Sequence, residues 1–286
     1  MSAWSDRRRR FREILESQSC VYPASVFDPA SARIAAHLGY EMGMYAGSLA
    51  SLAVLSAPDL ILLTLTEFAE QAHRIGRASE LPLFADADHG YGNALNVMRA
   101  VEELEAAGLA GLSIEDTELP QPFGNAGRTH LLSVEEGVGK MRAAVAARRD
   151  SDLVIAGRTS AAQLTSVEDA IVRAKAYEAA GVDAIFLVGV PSREAVVAIA
   201  DELSVPLLLG GGPKALRDPA WLAQHQVRFL LRGHQTFTAA VQAIHDTMKA
   251  LRDGVEPEDI GGTANAELMN VVTRKADHDA WMRDWL

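Results

Sequence analysis

Apolar stretches of four to six residues alternate with longer segments of helical periodicity along the chain. That alternation marks a parallel sheet whose strands are joined by crossover helices. The apolar stretches predict strands near residues 21–26, 41–45, 81–85, 111–114, 153–156, 184–188, 206–209 and 227–231. Between them stand helix-start signals. Asp28 precedes Pro29, an N-cap followed by the residue favoured at the first helical position. Thr64 and Glu67 have capping-box spacing. Ser133 and Ser166 open further helices, a helix over about 94–107 stops at Gly108, and the last barrel helix runs from His234 to about residue 252.

Eight strand–helix rounds predict an α/β fold, a (β/α)8 TIM-type barrel, which needs roughly 250 residues as one domain. The 286 residues fit a single barrel domain over 1–286 with a C-terminal helical extension from about residue 254. Two tryptophans, Trp281 and Trp285, make that extension stickier than a lone tail, and it is expected to pack across a subunit interface. The stretch 117–131 is long and rich in Pro, Gly and Asn, which marks it as a functional lid.

The formal net charge is −11, from 27 basic and 38 acidic residues. Nucleic acids and anionic membranes reward positive surfaces, so neither is an expected partner. An anionic substrate stays compatible, because a bound metal and one or two arginines reverse a local field. One cysteine, Cys20, cannot form an intrachain disulfide and reads as a packed residue. No apolar run reaches membrane-spanning length. Arg7-Arg8-Arg9-Arg10 lacks the apolar segment of a signal peptide and reads as the solvated face of an amphipathic helix. A cytoplasmic location is expected.

The candidate chemistry gathers at predicted strand ends, which share one mouth in a barrel. Asp86 and Asp88 stand two apart, so in extended backbone both carboxylates face the same way. A divalent cation would relieve their repulsion, and an oxygen-only donor set favours Mg2+ or Mn2+ over zinc. The alternative is two acids in a polar loop, where Gly90, Tyr91 and Gly92 make a tight turn. Glu115 is either a third acid of that site or a solvated strand end. Arg158 suits bidentate binding of a carboxylate, or else an ion pair with Glu115 or Asp86. His234 opens the last helix, where the helix N-terminus favours anions and lowers a histidine's pKa. It is placed to hold a substrate carboxylate or to move a proton. His89 reads as a brace for the turn, and His245 as a helix-surface or core residue.

Asp86-Ala87-Asp88-His89-Gly90-Tyr91-Gly92, Ser113-Ile114-Glu115-Asp116 and Gly157-Arg158-Thr159 resemble the isocitrate lyase and phosphoenolpyruvate mutase superfamily. Ser25-Val26-Phe27-Asp28, Ser31-Ala32-Arg33, Val134-Glu135-Glu136 and Lys140 extend the likeness over nearly the whole chain. The resemblance implies a barrel whose eighth helix is exchanged between paired subunits, giving homodimers or homotetramers. It implies Mg2+ held mainly by Asp86, with Asp88 and Glu115 reaching it through water. It also implies carboxylate binding by Gly47 and Ser48, a substrate arginine at Arg158, and a further acid near the site at Asp59.

The lid reads Leu119-Pro120-Gln121-Pro122-Phe123-Gly124-Asn125-Ala126-Gly127 and has neither cysteine nor lysine. It therefore lacks the K-[KR]-C-G-H motif of the carbon–carbon lyases. It lacks also the K-x-N-[ST] type of lid of the mutases and phosphonopyruvate hydrolases, although Asn125 remains. Gly233-His234, Leu187-Val188-Gly189-Val190 and Phe123-Gly124 look like the oxaloacetate decarboxylase branch. One departure is the stretch Leu209-Gly210-Gly211-Gly212-Pro213, where that branch tends to carry a tyrosine.

The resemblance implies Mg2+-dependent decarboxylation of oxaloacetate, a small α-keto dicarboxylate, to pyruvate and CO2 through a metal-stabilised enolate. Arg158 and His234 are the candidate catalytic residues, and Ser48 binds substrate with them. The alternatives are a lyase or hydrolase of the same superfamily acting on a substituted malate or on phosphonopyruvate, and a silent barrel that only binds a dicarboxylate.

Overall fold

The computed structural model describes residues 3–124 and 127–286. Eight parallel strands follow one another in chain order: β1 Ala24–Ser25, β2 Gly43–Ala46, β3 Leu83–Asp86, β4 Gly111–Glu115, β5 Val154–Thr159, β6 Ala184–Leu187, β7 Leu207–Leu209 and β8 Val227–Leu230. Val21 closes the circle. Its amide donates to Arg228 O at 2.9 Å and its carbonyl accepts from Leu230 N–H at 3.1 Å. The (β/α)8 barrel expected from the periodicity is the fold observed.

The predicted first strand is longer than the one that forms. Only Ala24 and Ser25 pair with β2, while Val21 pairs with β8, because the intervening chain carries Pro23, which has no amide proton to give a ladder. The helix starts at Asp28, Thr64, Ser133 and Ser166 are where the capping residues place them. Asp28 and Thr64 each form a reciprocal capping box with the residue three positions on. A short helix Gly47–Ala50 running into a π-helical turn Ser51–Leu55 directly after β2 has no counterpart in the apolar periodicity, which points to the next helix only at Thr64.

Side chains that alternate along a strand divide the core in two. One apolar layer lies between strands and helices, with Tyr45, Ala85, Leu112 and Ile155 on the outward side. The other fills the barrel, with Met44, Phe84, Phe186 and Phe229 at its centre. The rings of Phe84, Phe186 and Phe229 meet pairwise edge to face, with centroids 5.5–6.0 Å apart. Aromatic pairs favour this arrangement.

The N-terminal helix Ala3–Glu16 closes the bottom of the barrel. Phe11 is fully buried against Phe84, with ring centroids 5.5 Å apart. The reading of the arginine run as a solvated face holds for Arg9 and Arg10, which are exposed, and is corrected for the other two. Arg7 and Arg8 are buried and cap backbone carbonyls: Arg7 reaches Gly76 O at 2.6 Å, and Arg8 reaches Leu109 O and Glu105 O at 3.0 and 2.6 Å. Loops at a barrel floor present carbonyls that need donors, and a guanidinium supplies several at once. Cys20 is buried and free, its thiol pushed up to about 12 by burial against the opposing pull of Arg228. Among the described residues no helix is long and apolar enough to cross a membrane.

Candidate active site

Strand alternation also builds the mouth. Two residues beyond each inward core residue, the same face emerges at the C-terminal rim. Met44 leads to Ala46, Phe84 to Asp86, Ser113 to Glu115, Ala156 to Arg158, Phe186 to Val188, Leu208 to Gly210 and Phe229 to Leu231. All seven of these outer residues line one cavity of about 180 Å3, together with Ser48, Asp59, Ile61, Asp88, Leu119 and His234. Every residue expected in the site therefore lines the cavity except Gly47, which lies beside it under Asp88. Ile61 holds φ +58°, which is costly for a β-branched side chain.

Asp86 ends β3 and is buried. Its Oδ1 accepts from Ser113 Oγ at 2.9 Å and its Oδ2 pairs with Arg158. In register Glu115 lies beside Arg158, and their side chains pair at 3.0 Å. Arg158 thus bridges two acids, the ion-pair arrangement weighed as one of its two readings. Burial works against its charge, yet Asp86 and Glu115 outweigh that and raise its pKa above the ordinary value.

Asp88 reaches the same cavity by a route different from the one expected. It is not extended: φ is +48°, in a turn closed by Gly90 N–H donating to Ala87 O at 3.0 Å. The turn, not strand alternation, swings its carboxylate back over Gly47. The Asp88 carbonyl accepts from Glu115 N–H at 2.9 Å, which ties the turn to β4. Behind it, the buried Lys140 donates to His89 O at 2.8 Å. His89 is buried too, and desolvation, helped by Lys140, lowers its pKa to about 4.

Burial raises the pKa of Asp88, and Asp86, Glu115 and Asp59 push it further up against the pull of Arg158. Glu115 is raised as well, by burial and then by Asp86, with Arg158 opposing. Among the described residues four acids face one arginine in the cavity, so acidic groups outnumber basic ones there. Among the described residues, however, no three His, Cys, Asp or Glu side chains are grouped closely enough to hold an ion on their own. An ion bound directly by one acid and through water by the others needs no such group. The all-oxygen donor set and the excess of acidic groups fit a hard divalent cation.

His234 stands at the N-cap position of helix Gln235–Arg252 and makes no capping bond with its side chain. Its pKa is lowered, as the sequence leads one to expect, but the cause is burial, with Asp86 pulling the other way. Its Nδ1 lies 2.7 Å from Ser25 Oγ. His245 is on the exposed surface of the same helix.

Sequence reasoning missed the supporting hydroxyls Ser25 and Ser113 and the apolar wall of Ile61, Leu119, Phe186 and Val188. Ser113 was legible in principle, being a polar residue two before Glu115 in a buried strand. Asp116, next to Glu115 in the acidic motif, points the other way. It is fully buried, with Arg173 at 3.0 Å and Tyr177 Oη at 2.6 Å. The lid begins here. Leu132 N–H donates to Asp116 O, Glu118 N–H donates to His130 O, and Phe123 is fully exposed near its tip. Asn125 lies outside the described residues.

Known proteins resemble the chain over nearly its whole length. The family model described as phosphoenolpyruvate phosphomutase matches residues 11–252. The oxaloacetate decarboxylase of Paraburkholderia xenovorans (strain LB400) is 54% identical over 280 residues, covering 98% of this chain and 94% of that protein. Among solved structures, oxaloacetate acetylhydrolase in complex with the inhibitor 3,3-difluorooxalacetate superposes with a TM-score of 0.86 at 28% identity, covering 98% of this chain and 97% of that one. Phosphonopyruvate hydrolase in complex with oxalate and Mg++ superposes with a TM-score of 0.84 at 27% identity, covering 98% and 99%. The chain belongs to the phosphoenolpyruvate phosphomutase family, within the isocitrate lyase superfamily that its acidic motif resembles.

Proposed function

We propose that the protein decarboxylates oxaloacetate to pyruvate and CO2 with the help of Mg2+, for which Mn2+ can substitute. The observation that carries this reading is the make-up of the cavity. Asp86, Asp88, Glu115, Arg158, Ser48 and His234 converge there, and among the described residues no cysteine or lysine lines it. Such a site suits a reaction that needs charge stabilisation and no covalent catalyst. A relative more than half identical carries the name oxaloacetate decarboxylase, and a superposable neighbour binds oxalate and Mg++.

Asp86 would hold the cation, with Asp88 and Glu115 reaching it through water. When bound, the cation supplies Lewis-acid stabilisation of the charge that builds on the keto oxygen as the C3–C4 bond breaks. Ser48 and the Gly47 backbone grip the C1 carboxylate. Arg158 gives planar, preorganised donors beside the keto acid. His234, kept neutral by burial, donates one N–H to the C4 carboxylate. A cation there would stabilise the starting carboxylate and lose that attraction as CO2 departs, which slows the step. A neutral donor orients the group without that cost. The electron pair left on C3 is delocalised into the carbonyl, and C3 then takes one proton from solvent. Asp59 sits at the rim of this arrangement.

Helix Gln235–Arg252 buries none of its residues, and Val241, Ile244 and Met248 are exposed on it. We infer that this eighth helix packs on a second copy, giving a homodimer or homotetramer. In that assembly each chain acts as one barrel domain with its tail, in the cytoplasm.

The test is product analysis. Purified protein given oxaloacetate and Mg2+ yields pyruvate and CO2, and a chelator stops it. Glyoxylate from a substituted malate, or phosphate from phosphonopyruvate, with oxaloacetate untouched, overturns the reading. Asp86→Ala abolishes turnover. If oxalate binding and assembly survive that change and the unmodified protein turns nothing over, the barrel is a silent binder.

A further inference from the structure

The helix that carries His234 at its start has no buried side chain of its own, yet its first turn is anchored on one side. Ser25 Oγ lies 2.7 Å from His234 Nδ1. Thr236 Oγ1 donates to Ser25 O at 3.0 Å. Phe237 meets Phe27 edge to face, with ring centroids 5.1 Å apart. All three contacts run to Ser25 or to the residues just after β1. Ser25 itself is 7% exposed and is paired in register with Met44 of β2. Its hydroxyl is therefore directed by the sheet, the most rigid part of the barrel, while within one chain the described helix buries no side chain.

We propose that Ser25 is the positioning residue for His234: its hydroxyl donates to Nδ1 and so fixes both the plane of the ring and the tautomer with the proton on Nε2. This rests on the decarboxylase reading, in which Nε2–H meets the C4 carboxylate. A neutral imidazole carries one proton, and the bond made by one nitrogen decides which nitrogen keeps it. With Nδ1 occupied as acceptor, Nε2 is the nitrogen that remains to donate into the cavity. The ring also has to lie so that the C3–C4 bond stands across the plane of the carbonyl, since only then does the breaking bond overlap the π system. A displaced carboxylate still binds but reacts slowly. Loss of Ser25 therefore acts chiefly on kcat, with a fall of about tenfold to a hundredfold, the range that a misplacement near 1 Å produces.

The experiment compares Ser25→Ala, Ser25→Thr, His234→Asn and the double variant Ser25→Ala/His234→Asn, each checked for folding by thermal unfolding. Long-range 1H–15N spectra of histidine-labelled protein report the tautomer of His234, assigned by its disappearance in His234→Asn. The expected results are a single Nε2–H tautomer in the unmodified protein and a mixed or shifted ring signal in Ser25→Ala. Alongside it come a lower kcat with KM little changed, recovery in Ser25→Thr, and a double variant no slower than His234→Asn. The inference is overturned if Ser25→Ala keeps the original ring signal and kcat while His234→Asn is impaired. It is overturned also if Ser25→Ala slows the His234→Asn background by the same factor. Full activity in His234→Asn instead sinks the role given to the histidine in the reaction, and the ring spectra still decide whether Ser25 sets its tautomer.

Discussion

A β-carbon at Gly47 would lie 2.3 Å from Asp88 Oδ1 and 2.6 Å from Oδ2. The two residues therefore specify each other: the carboxylate sits where it does because position 47 has no side chain. The Gly47 backbone is not in the left-handed region, so the requirement is one of space rather than of φ. Gly47→Ala should leave the fold intact and push Asp88 off its place over the cavity. The expected outcome is a ten- to hundredfold loss of Mn2+ or Mg2+ affinity, the usual size of effect when a residue supporting a metal site is disturbed. Titration calorimetry on the folded variant measures it, and unchanged affinity would place the metal elsewhere.

Arg158 bridges Asp86 and Glu115. A bound divalent ion would compete with it for those carboxylates. Arg158→Gln should then do two opposite things. Without metal, the barrel mouth loses its counter-charge and stability falls by about 3–5 kcal/mol, as when one partner of a buried pair is removed. With saturating Mg2+, part of that loss returns, so the metal-induced rise in Tm is larger than in the unmodified protein. Turnover falls by roughly 10²–10³, since a preorganised donor is gone. Thermal unfolding with and without Mg2+ checks the first two effects.

The barrel and most of its mouth were legible in the sequence because both follow from alternation. A two-residue period fixes which face is core, and the same period carried two residues further places Asp86, Glu115 and Arg158 at the rim. Asp88 was assigned to the right cavity for the wrong reason, since a left-handed turn is set by local packing against Gly47 and β4 and leaves no periodic trace. The buried arginines Arg7 and Arg8 were misread for a related reason. Their partners are carbonyls some 70 to 100 positions away in sequence, and backbone acceptors carry no residue signature. Ser25 escaped notice as a functional residue because a serine at a strand end has no distinctive chemistry until a histidine 209 positions later is brought to it.

Asp116 belongs to the acidic motif but not to the cavity. It is fully buried between Arg173 and Tyr177, while Arg173 also donates to Leu132 O at the far end of the lid. Asp116→Ala should leave that guanidinium short of its main partner. Arg173 keeps Asp169 at 3.1 Å, so a cost near the lower end of the buried-pair range is expected, about 3 kcal/mol. A lower urea midpoint with unchanged Mg2+ affinity is the expected pattern. A loss of metal affinity at unaltered stability would mean that Asp116 serves the site directly.

His89 makes stability depend on acid. Burial lowers its folded-state pKa to about 4 from the ordinary 6.5, so the unfolded chain takes up this proton first as pH falls. Between those two values the unfolded state binds more protons than the folded one, and stability rises with pH. The contribution is fully present above pH 6.5 and is lost progressively towards pH 4. At pH 4.5 the loss attributable to this ring is ~2 kcal/mol relative to pH 7. Many carboxylates titrate in the same window, so the useful quantity is a difference. His89→Gln cannot take up the proton, and its urea-unfolding free energy should fall less between pH 7 and pH 4.5 than that of the unmodified protein, by about that same 2 kcal/mol. Both proteins are compared free of metal, so that acid release of a bound cation does not contribute. Parallel losses in the two proteins would show that His89 is protonated in the folded state as readily as in water, and that the Lys140-braced turn is open to solvent.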